Sequence, residues 1–196
     1  MRVPWRTTVL ATIALVGAAM PARTARADIL PADGSPTITA TTGGFNWTYD
    51  ITLTVTEQLL QGDSFTIYDF GPGHVVSLPS ANWTVTTDPF APTTGTSSTG
   101  TITPTQTSAL NYTFTWLGGT ITGEVDLGNF VLFSTTGTPM TAPLMGRATD
   151  QSNGLKNANL TNTLVPTGTP EPANLALLGT GMLALAGFVQ RRKRLS

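Results

Sequence analysis

The stretch F-N-W-T-Y-D-I-T-L-T-V-T, residues 45–56, sets the pattern for the body of this chain. From Phe45 to Thr56, apolar and polar side chains alternate at every second position. A period of two places one set of side chains in a core and the other in solvent, so this stretch predicts a half-buried β-strand. We expect the flanking sequence to follow the same rule.

Further stretches repeat this alternation and are rich in threonine, valine, isoleucine and aromatic residues, which favour strands. They are residues 64–70, 75–78, 83–87, 110–116, 120–127 and 130–134. Glycine-containing turns separate them, and no stretch between residues 28 and 170 has helical spacing. The sequence therefore predicts an all-β fold of short antiparallel strands, either a β-sandwich or a jelly roll.

The predicted core is aromatic, because the chain has no cysteine for disulfides and its core alone must hold the domain. Its members are Trp47, Phe65, Trp83, Phe114, Trp116, Phe130 and Phe133. Residues 89–108, rich in threonine, serine and glycine, predict a long surface loop with a short edge strand near Ile102. Residues 157–169 predict a spacer, which leaves residues 28–156 as the β-sandwich domain.

The N-terminus predicts export. Two arginines precede an 11-residue apolar run, residues 9–19, and small residues stand at Ala25 and Ala27. This order is typical of a signal peptide, whose apolar core is too short to span a membrane. We predict a signal peptide over residues 1–27, cleavage before Asp28, and passage through the Sec export machinery. A leader that is uncut or cut elsewhere is the alternative, because two further arginines lie near this position.

The C-terminus, residues 170–196, carries three elements in a fixed order. Pro170, Glu171 and Pro172 form a tripeptide that proline holds extended. Residues 173–189 follow, uncharged and largely apolar, at the lower length limit for a transmembrane helix. A basic run then makes translocation costly, so it stays in the cytoplasm and the body lies outside. Its residues are Arg191, Arg192, Lys193 and Arg194.

Together these elements resemble the PEP-CTERM sorting signal, over residues 170–196 only. The resemblance implies a Gram-negative bacterium and recognition of Pro170 to Pro172 by a membrane-embedded exosortase. It also implies transient anchoring in the inner membrane, removal of the hydrophobic tail, and delivery to the outer surface or the exopolysaccharide matrix. Some proteins described as ice-binding end in a similar module. A permanent, uncut anchor is the alternative.

Export changes the charge of the molecule. Eight of the ten cations lie in the two targeting segments, and only Arg147 and Lys156 remain between residues 28 and 172. All eleven acids lie in that body, so its net charge is −9. The phosphates of a nucleic acid would repel such a body, which excludes nucleic acid as a partner.

The sequence shows no constellation typical of catalysis or metal binding, and we predict no catalytic residue, metal ligand or cofactor. His74, the one histidine, lies in a Gly-Pro-Gly-His turn and is predicted to be a surface residue. Glu124 and Asp126 share one face of a predicted strand, and Asp63 and Asp69 flank another, which would permit a carboxylate pair for glycoside hydrolysis. No cleft is predicted around them. Calcium binding through such oxygens stays open.

Three functions fit these features. The leading one is a non-enzymatic surface or matrix protein with an adhesive or structural role in a biofilm, and with exopolysaccharide as a candidate partner. The second is a carbohydrate-binding module in which Trp83 or Tyr112 faces outward as a stacking platform. The third is a secreted glycoside hydrolase that acts through Glu124. Ice binding is disfavoured, because pairs such as Thr52 and Thr54 recur with no fixed period.

Overall fold

The computed structural model describes residues 29–90, 94–97, 100–105, 107 and 109–167, and within these ranges the chain is all-β without a helix. The strands are β1 (Ile29–Pro31), β2 (Thr37–Thr41), β3 (Gly44–Leu53), β4 (Glu57–Leu59), β5 (Ser64–Ile67), β6 (His74–Ser77), β7 (Trp83–Asp88), β8 (Gly95–Ser97), β9 (Gly100–Ile102), β10 (Asn111–Trp116), β11 (Ile121–Thr122), β12 (Val125–Ser134), β13 (Pro139–Asp150) and β14 (Lys156–Pro166).

Two antiparallel sheets carry the fold. The first has five strands in the order β1-β3-β12-β6, with β2 also paired to β3. The second has seven strands in the order β11-β4-β13-β5-β10-β7, with β14 paired to β13. Strands β8 and β9 form a separate hairpin. The prediction of an all-β fold of antiparallel sheets is confirmed.

The strand predicted at residues 45–56 is β3. Its alternation holds, because Trp47, Tyr49, Ile51 and Leu53 are all buried. The strand ends at Leu53 instead of Thr56, since the amide of Glu57 donates a hydrogen bond of 3.1 Å to the carbonyl oxygen of Thr54. This turn leaves Val55 exposed, although the period of two would have buried it.

Aromatic rings join the two sheets into one core. Phe65 on β5 stacks on Phe114, with ring centroids 4.8 Å apart. Its ring also meets the edge of Phe130 on β12 at 4.8 Å, and that contact crosses from the second sheet to the first. Six of the predicted core residues are buried, namely Trp47, Phe65, Trp83, Phe114, Trp116 and Phe130. The aromatic core is therefore confirmed in its main part.

Phe133 does not belong to this core, so its prediction was wrong. Phe130, Leu132 and Ser134 are buried on β12, and the strand period turns Phe133 to the opposite face. There its ring stacks on His74, with centroids 4.8 Å apart. Phe130 and Phe133 are three residues apart, and a strand cannot bury both on one face.

The predicted spacer at residues 157–169 was also wrong over most of its length. Residues 156–166 form β14, which pairs with β13 from Pro139 opposite Pro166 to Thr149 opposite Lys156. Its asparagine and threonine content resembles a linker, but β-branched residues fit a pleated surface once a neighbouring strand is available. The β domain therefore extends to Pro166.

The hairpin β8–β9 lies within the stretch predicted as a surface loop, and it confirms a strand near Ile102. The hairpin sits on the second sheet at Gly95. A methyl group at that position would overlap the Ala158 side chain and lie 3.1 Å from the sulfur of Met145. The absence of a side chain thus lets the hairpin approach β13 and β14 closely.

Candidate functional site

The predicted targeting residues lie outside the described part of the chain. They are Ala25, Ala27 and Asp28 at signal cleavage, Pro170, Glu171 and Pro172 for sorting, and Arg191, Arg192, Lys193 and Arg194 in the basic run. The transmembrane helix predicted over residues 173–189 falls there too. Within the described ranges, no helix has the length and apolar character that crossing a bilayer requires.

The sequence predicts Glu124 and Asp126 on one strand, but the structure places only Asp126 on a strand. Strand β12 begins at Val125, so Glu124 precedes it and is exposed. The carboxylate of Asp126 accepts a hydrogen bond of 2.7 Å from the amide of Gly128, at a bulge in β12. Neither residue lines the two cavities described below.

Asp126 instead interacts with Asp50 on the neighbouring strand β3. Burial, and after it the negative charge of Asp126 and a hydrogen bond with it, raise the pKa of Asp50. Asp50 also lines a cavity of about 140 Å³, together with Asp33, Ser35 and Asn129. The pairing depends on the register of β3 against β12, which sequence spacing does not reveal.

Asp69 has a structural role at the end of β5. Its backbone adopts a φ of 54°, and its carboxylate accepts hydrogen bonds from the amide and hydroxyl of Thr107 at 2.7 and 2.8 Å. These bonds tie the end of β5 to the segment before β10. Within the described ranges, no three side chains of the usual metal-binding types come together.

The stacking platforms proposed for a carbohydrate-binding module are not at the surface. Trp83 is 5% exposed and Tyr112 is 1% exposed, and both pack in the core. These two rings therefore cannot serve as outward-facing stacking platforms. His74 is exposed at the start of β6, as predicted for a surface residue.

A second cavity, of about 230 Å³, lies where the hairpin β8–β9 meets β5, β13 and β14. We call it the cationic cleft. Its polar walls come from Asp63, Ser64, Thr94, Thr96, Arg147, Lys156 and Asn157. Both cations of the body thus line one site.

Strand pairing explains why these two cations meet. In the antiparallel register of β13 and β14, Thr149 lies opposite Lys156 and Arg147 lies opposite Ala158. Arg147 and Thr149 are two residues apart, so they point to the same face of the sheet, and their cross-strand partners share that face. Two cations that flank a turn were the sequence signal for this site, but without β14 as a strand it could not be interpreted.

Asp63 forms the buried base of the cleft. This residue is 1% exposed, and its carboxylate accepts hydrogen bonds from the Leu60 amide at 2.8 Å and the Thr149 hydroxyl at 3.0 Å. The ammonium group of Lys156 completes the set at 2.7 Å. The side chain of Lys156 is itself 62% exposed. Asp63 is thus held in place by donors from three segments of the chain.

Arg147 occupies the opposite wall. Its guanidinium group donates a hydrogen bond to the carbonyl oxygen of Thr94, next to β8. Its buried Nε has no hydrogen-bond partner among the described residues. Burial raises the pKa of the nearby Tyr68 to about 12, against the opposing influence of the Arg147 charge. In the part of the chain that the structure describes, the ion pair of the cleft joins Lys156 to Asp63, and Arg147 has no carboxylate partner.

Comparison of the chain with protein-family models, with curated proteins and with solved structures found no match.

Proposed function

We propose that this chain is an exported protein of the cell surface or extracellular matrix, sorted by an exosortase, with a non-enzymatic adhesive or structural role. One observation carries the proposal. Strand β14 ends at Pro166, and the Pro-Glu-Pro tripeptide begins at Pro170, ahead of an apolar stretch and four cations. A cut in a signal placed directly after the last strand would release the domain without disturbing its fold.

The short link has a geometric consequence for the precursor. Four residue steps separate Pro166 from Pro170, and at about 3.6 Å each they reach about 14 Å at most. The open end of the β13–β14 hairpin, where Pro139 lies opposite Pro166, would then lie close to the membrane before processing. Lys156 lies ten residues back along β14, or about 33 Å at the usual rise of a strand. The cationic cleft would therefore lie at the opposite end of the hairpin from the tether.

The proposed body is a β-sandwich. The contact of Phe65 with Phe130 and the hydrogen bond from the Tyr49 hydroxyl to the Leu164 carbonyl oxygen both run from one sheet to the other. Such contacts support two sheets packed face to face. The sandwich and a C-terminal membrane helix over residues 173–189 make up the proposed precursor.

The placement of the carboxylates supports a non-enzymatic role. Asp63 and Asp69 hold parts of the chain together through hydrogen bonds, and Glu124 is exposed outside both cavities. Carbohydrate binding is kept as a second candidate function. It is favoured by the polar cationic cleft, in place of the aromatic platform that the sequence suggested.

The proposal is tested with a double variant, Glu171→Ala with Pro172→Ala, expressed in a bacterium that has an exosortase. We expect the wild-type chain to reach the surface or medium without its basic C-terminus, as shown by intact mass. The double variant should stay in the inner membrane at full length. Thr167→Ala with Thr169→Ala, two changes just outside the tripeptide, is the matched control and should be processed normally. Recovery of wild-type protein with its terminal arginines would contradict the proposal.

A further inference from the structure

We propose that the cationic cleft binds the carboxylate group of an acidic sugar residue. This inference rests on the proposed function, since a matrix polysaccharide would supply such a ligand. The residue that would recognise the carboxylate is Arg147, assisted by Lys156. Neutral hydroxyl and amide groups around them would contact the sugar ring.

Arg147 supplies the positive charge that would bind the carboxylate. A guanidinium group binds carboxylates in a planar, two-pronged geometry and stays charged at all ordinary pH values. In the cleft its position is fixed by the hydrogen bond to the Thr94 carbonyl oxygen. No described carboxylate neutralises it, whereas Lys156 has Asp63. With two cations and one anion, the cleft keeps an excess positive charge in a body whose net charge is −9.

A purely structural role explains Lys156 better than Arg147. The bond of Lys156 to the buried Asp63 ties the turn end of the β13–β14 hairpin, where Thr149 lies opposite Lys156, to the start of β5. Arg147 takes no part in that bond, and a neutral side chain could equally donate to the Thr94 carbonyl oxygen. The positive charge at position 147 is therefore left for a ligand.

The remaining walls suit a sugar. Ser64, Thr94, Thr96 and Asn157 line the cleft and offer groups that both donate and accept hydrogen bonds. The cleft has a volume of about 230 Å³. This space admits a single ring with its carboxylate and leaves the rest of a polymer outside.

The acidic character of the whole body does not prevent this binding. At physiological ionic strength, interactions between exposed charges are largely screened beyond about 8 Å. A carboxylate in contact with Arg147 is affected mainly by the groups of the cleft.

The test uses the full chain in detergent micelles and isothermal titration calorimetry. The probes are a trimer of galacturonic acid, a trimer of galactose and inorganic sulfate. We expect heat of binding with the galacturonic acid trimer, and binding of the other two probes at least about tenfold weaker, since only the acidic sugar offers both the charge and the hydroxyls. Equal binding of sulfate would overturn the assignment to a sugar. Equal binding of both trimers would overturn the role of the carboxylate.

Arg147→Gln should lower the affinity for the acidic trimer by at least about tenfold. Arg147→Lys, which keeps the charge but loses the planar geometry, should lose less. The matched control is Thr122→Glu on β11, an exposed change outside the cleft that alters the net charge by the same single unit. Thermal unfolding of each variant checks that it is folded. If Arg147→Gln does not fold, the affinity of Arg147→Lys tests the proposal in its place.

The proposal would be contradicted if Arg147→Gln kept the wild-type affinity for the acidic trimer, or if Thr122→Glu lost as much affinity as Arg147→Gln. The wild-type chain could fail to bind although cell fractionation places it at the surface. That result would refute the binding role of the cleft and leave the proposed function intact. Binding by a chain that stays in the cytosol would refute the proposed function alone.

Discussion

The hydroxyl of Tyr49 donates a hydrogen bond of 2.8 Å to the carbonyl oxygen of Leu164, a residue 115 positions further along the chain. Tyr49 lies on β3 of the first sheet, and Leu164 lies on β14 of the second. The bond therefore holds the last strand of the body against the opposite sheet. Burial of Tyr49 raises the pKa of its hydroxyl well above the ordinary value, so this donor stays protonated at neutral pH.

Tyr49→Phe removes this bond and leaves the Leu164 carbonyl oxygen without its donor. We expect the free energy of unfolding to fall by about 1 to 2 kcal/mol. Tyr112→Phe is the matched control, because the Tyr112 hydroxyl is buried without a hydrogen-bond partner among the described residues. That change should be neutral or slightly stabilising in urea denaturation. Equal losses in both variants would contradict the role assigned to the bond between sheets.

Phe65 contacts aromatic rings of both sheets, Phe114 in the second and Phe130 in the first. Phe65→Ala should lower the free energy of unfolding by about 3 to 5 kcal/mol, because it removes buried surface and leaves a cavity. Phe133→Ala makes the same chemical change on the opposite face of β12, where the ring is half-buried against His74. It should cost clearly less, about 1 kcal/mol. Denaturation curves that rank the two variants the other way would restore Phe133 to the core.

Asp63→Asn tests the anchor of the cationic cleft. The amide retains the shape of the carboxylate but loses the charge that Lys156 pairs with. Its NH2 group must face a donor in either orientation: the Lys156 ammonium at the place of Oδ1, or the Leu60 amide and the Thr149 hydroxyl at the place of Oδ2. We expect a loss of about 2 kcal/mol in the free energy of unfolding, since hydrogen bonds to a charged group are stronger than neutral ones. Asp88→Asn, an exposed change in β7, is the control and should leave stability nearly unchanged.

Asp50 gives stability a pH dependence of known sign. Its pKa is raised in the folded state by burial and by Asp126, so the folded state prefers the protonated form. Its favourable contribution is complete below the ordinary pKa of 3.8 and is lost as the pH rises through the raised value. Asp50→Asn, which resembles the protonated form, should therefore stabilise the protein at about pH 7 and have little effect at about pH 3.

Chemical denaturation at both pH values measures this difference. Glu124→Gln is the control, because it removes one negative charge from an exposed position outside both cavities. A similar gain in that variant would mean that the effect comes from overall charge. A loss of stability in Asp50→Asn at neutral pH would contradict the assigned direction.

The sequence predicted the fold class because period-two alternation is a local property of the chain. Trp47 and Phe65 were recognisable as core residues, since each stands in an unambiguous alternating run. Phe133 was misassigned because hydrophobicity was weighed without the register of the strand. Strand β14 was missed because Asn159 and Thr161 look like linker residues until β13 lies beside them.

The cationic cleft could not be predicted for a different reason. Asp63, Arg147 and Lys156 are far apart in the sequence, and they meet only through the pairing of three strands and the seat of a hairpin. The scarcity of positive charge in the body was visible, but its gathering at one site was not. Contacts that depend on long-range register cannot be derived from the local sequence alone.

The missing side chain at Gly95 lets the hairpin set the width of the cleft, because Gly95 and Ala158 lie on facing walls. Thr94 is next to the hairpin and accepts the hydrogen bond from Arg147. A side chain at position 95 that pushes the hairpin away from Ala158 should therefore widen the entrance of the cleft without changing any of its charged residues. Gly95→Ala and Gly95→Val would then form a graded series of entrances, from tight to loose. Selection for larger or branched ligands could act through this single position.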